Sequence, residues 1–254
     1  MTRLKRLSAT ENDPQTLAID IGGTGLKASV LDSSGQMVVK RVRVATPDPC
    51  PPEILLDALA RLVAPLPDFD RISIGFPGVV RDGAVITAPH FDTGSWRNYP
   101  LADAVANRLG KPARLLNDAE VQGLGIITGR GLEVVLTLGT GIGSAVFRNG
   151  DLAPHLELAQ HPLRNGKTYN EYIGDKARSS TSVKKWNRRV LKTIEIVHSL
   201  LHYDTLYLGG GNAAHIAVKL PANVHIRSND AGITGGIRLW DDSFRQPPMT
   251  DDRG

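Results

Sequence analysis

Leu17-Ala18-Ile19-Asp20-Ile21-Gly22-Gly23-Thr24-Gly25-Leu26-Lys27 places an acid inside a short apolar run. Three glycines and a threonine follow, and an apolar alternation then resumes as far as Leu31. The pattern predicts a strand, a glycine turn and a second strand. Glycines let backbone N–H groups approach an anion with no Cβ in the way. Thr24 adds a hydroxyl and Lys27 a cation, so Asp20, Gly22, Gly23, Thr24 and Lys27 form a candidate phosphate cradle. It is not a Walker loop, which ends G-K-[ST], nor a dinucleotide fingerprint, which opens a helix. The structural alternatives are a plain hairpin turn and a strand-end hydrogen bond for Asp20.

The same order of elements returns later in the chain. Val134–Leu138 is apolar, Gly139-Thr140-Gly141-Ile142-Gly143 is a second glycine turn, Ser144–Phe147 is apolar again, and Asn149-Gly150 turns. A repeated strand–turn–strand unit predicts two similar α/β lobes whose glycine turns, the second with Gly139, Thr140 and Gly141, face one another across a cleft. Such a cleft suits a nucleotide or another phosphate chain gripped from both sides.

Between and after the repeats, strands are expected at Met37–Val44, Arg71–Phe76, Ala113–Leu116, Thr205–Leu208 and near Val224–Ile226. Helices are expected at Glu53–Ala64, Leu101–Leu109, Ala119–Ile127, Val183–Leu201, near Asn212–Lys219 and near Ala231–Trp240. A short hairpin is expected around Asp82-Gly83, and loop between the second repeat and the long helix. The lobes are drawn at residues 15–117 and 118–241, with 1–14 and 242–254 as flexible tails.

Composition narrows the classes. In 254 residues, 41% hydrophobic and 22% charged content are those of a globular protein. There is no apolar run of about 18 residues, so no membrane span is expected. Cys50 is the only cysteine, which rules out an internal disulfide and a cysteine zinc site, and His155 and His161 lack partners at metal spacing. A cytoplasmic location fits these features. Charge is uneven: from Arg164 to Lys192 nine Lys and Arg face only Glu171 and Asp175, a local +7 in a chain of +4. That segment is either a solvated helix face or a landing strip for a polyanion. Few aromatics interleave, so a nucleic-acid partner is not expected.

Asn117-Asp118 stands where a strand gives way to a helix, a position that lines ligand crevices in α/β sheets and also one where Asn and Asp cap helices. As chemistry, Asp118 can accept a hydroxyl proton during phosphoryl transfer while Asn117 orients a second hydroxyl. Glu157, in Leu156-Glu157-Leu158-Ala159-Gln160-His161-Pro162, can grip sugar hydroxyls or sit on an exposed turn. Gly209-Gly210-Gly211-Asn212 can hold a nucleotide or simply make a tight turn. Magnesium is expected with either polyanionic donor, held by phosphates and by Asp20 through water.

The set Asp20-Ile21-Gly22-Gly23-Thr24, Phe76-Pro77-Gly78-Val79, Leu116-Asn117-Asp118-Ala119, Leu138-Gly139-Thr140-Gly141-Ile142-Gly143 and Leu208-Gly209-Gly210-Gly211 resembles the ROK family of sugar kinases, and among them the polyphosphate glucokinases. The resemblance runs from about Leu17 to Trp240. It implies the duplicated actin/hexokinase-like (ribonuclease H-like) fold, a homodimer, a hexose acceptor and ATP or inorganic polyphosphate as donor. Asp118 is then the catalytic base. Asp20, Gly22, Gly23, Thr24, Lys27, Gly139, Thr140 and Gly141 surround the phosphates, and Pro77, Gly78, Asn117, Asp118 and Glu157 surround the sugar. Two positions depart from the family pattern: Gln160 stands where a sugar-contacting histidine is usual, and His90 where an asparagine is common. The zinc cysteines are absent, so no structural zinc is expected. The roughly 16 residues before the first strand are too few for the DNA-binding domain that repressors of the family carry. The competing class is a sugar or phosphosugar binding protein that kept the fold and lost efficient catalysis.

Overall fold

The computed structural model describes residues 13–228 and 231–241. The flexible tails expected at 1–14 and 242–254 lie outside these residues, apart from Asp13 and Pro14.

The first glycine turn joins two antiparallel strands, β1 (Thr16–Ile21) and β2 (Leu26–Leu31), in a register that puts Asp20 opposite Lys27. β3 (Val42–Val44) adds to the edge of β2. A helix, α1 (Pro52–Val63), begins with a proline at its first position, where no N–H bond is lost. It buries Leu55, Leu56, Leu59 and Leu62 against the sheet. β4 (Arg71–Phe76) pairs parallel to β1. The hairpin β5 (Val80–Arg81) and β6 (Ala84–Val85) follows, with Asp82 and Gly83 both at positive φ. After the one-turn α2 (Thr93–Trp96), α3 (Leu101–Leu109) is closed by a left-handed Gly110, and β7 (Ala113–Asn117) pairs parallel to β4. The sheet order is β3-β2-β1-β4-β7.

α4 (Asp118–Leu124) then leads into the second copy. β8 (Leu132–Leu138), β9 (Ile142–Arg148) and β10 (Asp151–Leu152) repeat the antiparallel meander. The hairpin β11 (Pro162–Arg164) and β12 (Lys167–Thr168) and the short α5 (Tyr169–Ile173) and α6 (Asp175–Ser179) lead to α7 (Val183–Leu201). β13 (Thr205–Gly209) pairs parallel to β8, and β14 (Val224–Ile226) parallel to β13. The second order, β10-β9-β8-β13-β14, repeats the first strand for strand. The chain therefore has the duplicated α/β fold that its two glycine turns imply.

Each sheet has its own core, Leu17, Ile19, Ile74 and Phe76 in one and Val134, Leu136, Trp186 and Leu206 in the other. A third cluster bridges them: Val121 and Leu124 of α4 meet Val135, Ala145, Phe147 and Tyr207 of the second sheet and Leu239.

Five expectations are corrected. The strand placed at Met37–Val44 is regular only from Val42; before it, Val38 N–H donates to Val30 O and Ser29 Oγ–H to Val39 O from an irregular edge. The helix after Asp118 ends at Leu124 rather than Ile127. The helix placed near Asn212–Lys219 is a 3-10 turn, Gly211–His215, because Asn187 Oδ1 takes the Ala217 N–H into an extended segment. The helix placed near Ala231–Trp240 is α8 (Ala231–Thr234) followed by a 3-10 stretch, Gly235–Trp240. The region expected as loop after the second repeat holds β10, β11, β12, α5 and α6.

Residues 231–241 return to the first sheet: Ser73 Oγ–H donates to Gly236 O at 2.6 Å, Trp240 Nε1–H donates to Ser73 Oγ at 2.9 Å, and Arg114 stacks over the Trp240 ring at 4.4 Å.

Candidate active site

The two glycine turns face one cleft of about 620 Å³. In the first turn Gly22 N–H closes back on Gly25 O, and in the second Gly139 N–H closes on Gly141 O. The N–H groups of Gly23, Thr24, Thr140 and Gly141 have no partner among the described residues. They are the donors left for an anion. Gly143 must be glycine, since a Cβ there would fall 2.8 Å from the Ala119 Cβ.

Asp118 stands at the first position of α4, fixed by a capping box. Asn117 Oδ1 accepts Ala119 N–H at 2.9 Å, and Glu120 Oε2 accepts Asn117 N–H at 3.1 Å. The cap therefore sets the position of Asp118 at the start of the helix. The Asn117 Nδ2 donates to Gly78 O at 3.0 Å, so in the free protein its amide is committed to the fold. Burial, the charge of Asp20 and, more weakly, those of Glu157 and Glu120 push the Asp118 carboxyl up to about 7, against one hydrogen bond from Ala119 N–H. A carboxyl group near neutrality can both take up and release a proton.

Asp20 and Lys27 meet across the hairpin at 2.7 Å, so the cation expected for phosphate is paired with the acid expected near the metal. Among the described residues no group of three His, Cys, Asp or Glu can hold a metal ion. A partly exposed Asp20 beside the turns fits the usual magnesium arrangement, one carboxylate with water and substrate phosphates completing the shell.

Pro77, Gly78, Asn117, Glu157 and Gln160 line the same cleft as Asp20, Gly22, Gly23, Thr24, Lys27, Thr140 and Gly141. Gly210 and Gly211 line it too, but Gly209 and Asn212 do not. Gly209 lies in β13, and Asn212 Nδ2–H donates to Gly139 O at 3.0 Å, bracing the second turn from behind.

Residues that sequence reasoning did not place here also line the cleft. The Arg43 guanidinium packs on Gly25, whose missing Cβ leaves it room. Asn170 Oδ1 accepts Ile142 N–H at 2.7 Å. His90 lies against both turns: a Cβ on Gly23 would fall 3.1 Å from the His90 Cβ, and one on Gly141 3.2 Å from its Nε2. Burial holds the His90 pKa below its ordinary value, against the pull of Glu157. His155 joins Glu120 and Glu157. None of these four carries a local motif; His90 alone had a signal, as a departure from the family pattern.

Comparison with known proteins points to one family. The ROK family model matches residues 16–154. A polyphosphate glucokinase of Mycobacterium tuberculosis is 32% identical over 203 residues, which cover 76% of this chain and 76% of that protein. Among solved structures, an inorganic polyphosphate/ATP-glucomannokinase from Arthrobacter sp. strain KM superposes with a TM-score of 0.80 at 29% identity, covering 89% of this chain and 98% of that one. A ROK family glucokinase from Streptomyces griseus, solved with glucose and AMPPNP, gives 0.74 at 21% identity over 89% and 98%.

Proposed function

The chain belongs to the ROK family, and from that premise we propose that it is a sugar kinase moving the terminal phosphoryl group of inorganic polyphosphate or ATP to a hydroxyl of a hexose, glucose before others. The relatives, polyphosphate glucokinase and glucomannokinase, support the reaction class. The observation that carries the reading is Asp118, a carboxyl group pushed up to about 7 in a cleft between two rows of N–H donors that have no partner among the described residues.

The acceptor hydroxyl donates to Asp118, which takes its proton as the oxygen attacks the terminal phosphorus and the bond from that phosphorus to the bridging oxygen breaks, releasing ADP or the phosphate chain shortened by one unit. The N–H groups of Gly23, Thr24, Thr140 and Gly141 take up the charge of the phosphate oxygens, and Lys27 joins them on leaving Asp20. Pro77, Gly78, Asn117, Glu157 and Gln160 shape the sugar side, and Gly210 and Gly211 flank the donor. Magnesium would be held by Asp20 through water and by the donor phosphates, where it neutralises donor charge.

For the donor, a second cavity of about 420 Å³ supports polyphosphate beside ATP. Lys167, Lys176, Lys185 and Arg189 line it with a single acid, Glu171. α5 is the wall between the two sites: Asn170 lines the cleft and Glu171 the basic cavity. A phosphate chain longer than a triphosphate has a cationic surface one short helix away. Of the Lys and Arg residues along α7, Lys184, Arg188 and Lys192 do not line this cavity. Charge reversal at Lys176 and Lys185 is expected to weaken polyphosphate use by about tenfold at low salt and ATP use by less than about twofold, with the gap closing as salt rises. Equal losses with both donors would mark the segment as a solvated face.

The deciding experiment is a matrix of hexoses and amino sugars against ATP and polyphosphate, with magnesium. Phosphorylated product from any pair supports a kinase; hexose binding with no product from any donor would favour the non-catalytic class. A homodimer is part of the proposal and is checked by light scattering. Among the described residues no helix is long and apolar enough to cross a membrane.

A further inference from the structure

The reaction above leaves His155 unused. Its side chain is 14% exposed and lies on the cleft wall between two carboxylates of different elements. Nδ1 is 2.7 Å from Glu120 Oε1, and Nε2 is 3.6 Å from Glu157 Oε2, beyond a good hydrogen bond. Nε2 is buried with no hydrogen-bond partner among the described residues. A buried donor left unpaired is costly and calls for an explanation.

The two carboxylates differ in freedom. Glu120 is 4% exposed, and its second oxygen is held by the capping bond from Asn117 N–H. Glu157 is 36% exposed at its side chain, with one oxygen accepting Ala159 N–H at 3.2 Å. The backbone between His155 and Glu157 is pinned, since Ser144 Oγ–H donates to Leu156 O. His155 is thus anchored on the buried acid and reaches toward the more exposed one.

We propose that His155 is a positioning residue for the acceptor: anchored on Glu120, its imidazolium draws in Glu157 through Nε2–H and sets that carboxylate to accept hexose hydroxyls. The proposal rests on the assignment of Glu157 to the hexose. It links hexose affinity to the charge on His155. Glu120 foremost, then Glu157, raises the His155 pKa to about 9 against burial, so the ring is charged at neutral pH. The other titratable groups here are Asp118, which feels both glutamates, and His90, which feels Glu157. Asp118 titrates lower, so its effect on kcat separates from that of His155 on hexose KM.

The test measures hexose KM, donor KM and kcat from about pH 6 to about pH 10. In the unaltered protein hexose KM is expected to hold to about pH 8 and then rise about five- to tenfold by about pH 10, with donor KM and kcat changed less than about twofold over that upper range. In His155→Asn hexose KM is expected to be raised about tenfold at pH 7.5 and to be flat above it. A hexose KM that stays flat to pH 10 in the unaltered protein overturns the proposal without any variant. So does a His155→Asn protein that keeps both the low KM and its alkaline rise. Glu157→Gln separates the two assignments: if it leaves hexose KM unchanged, the sugar assignment of Glu157 fails; if it raises KM while His155→Asn does not, only the role of His155 fails.

Discussion

Asp118 and Glu133 show how one residue type takes opposite character from its hydrogen bonds. Both are withdrawn from water, which raises a carboxyl pKa. Glu133 is nonetheless held below its ordinary value because Thr128 N–H, Tyr207 O–H, Thr128 O–H and Gly129 N–H all donate to it. Asp118 has one such donor and a negative neighbour, and it rises to about 7. The folded protein therefore holds the Asp118 proton more tightly than the unfolded chain does, and stability is lost as pH climbs from about 4 to about 7. Asp118→Asn is expected to fold, to lose about 10²–10⁴ in kcat, and to be more stable than the parent by about 1–3 kcal/mol at pH 8 but not at pH 4. Thermal melts at the two pH values with steady-state kinetics check this; near-parental turnover would sink the base assignment. For Glu133 the sign reverses. Glu133→Gln is expected to cost about 2–4 kcal/mol at pH 7, with the gap narrowing as pH falls below about 4, read from urea unfolding at both values.

At the scale of elements, α4 matters more than its seven residues suggest. Its capping box fixes Asp118, its third residue anchors His155, and its apolar residues join the two sheets. Asn117→Ala removes the cap and also leaves Gly78 O without its donor. The expected cost is about 2–3 kcal/mol, with turnover lowered because Asp118 loses its orientation. Asn117→Asp, which can still cap, is expected to recover most of the stability but less of the turnover. The boundaries of α7 were readable because its apolar periodicity, buried at Trp186, Val190, Ile194 and Val197, is unbroken over nineteen residues. The segment after Gly211 was not, because nothing local shows that Asn187 takes the Ala217 N–H.

On the scale of the whole molecule, the lobes are joined by a bridging apolar cluster and by the returning segment 231–241. Ser73, 1% exposed, accepts from Trp240 Nε1–H while its hydroxyl donates to Gly236 O. Ser73→Ala is expected to cost about 1–3 kcal/mol by leaving that carbonyl and indole unpaired. Because α4 ties both sheets, unfolding is expected as one transition in the parent, with fluorescence and far-ultraviolet dichroism coincident. Trp96, Trp186 and Trp240 report on the first lobe, the second lobe and the joint between them. Two separated transitions would show that the shared cluster does not couple the lobes.

Sequence alone determined the two glycine turns, the repeated strand–turn–strand unit around them, the long helix and the placing of Asp118 at a strand-to-helix junction. Each follows from local chemistry: apolar period, glycine freedom, and the preference of Asn and Asp for helix starts. Tertiary structure decided what lies near what. The pairing of Lys27 with Asp20, the wedge of His90 against both turns, the return of residues 231–241 to the first sheet and the Glu120–His155–Glu157 chain all join residues whose sequence context is silent about one another. Burial and charge from distant segments set their protonation, and no window of the chain contains that information.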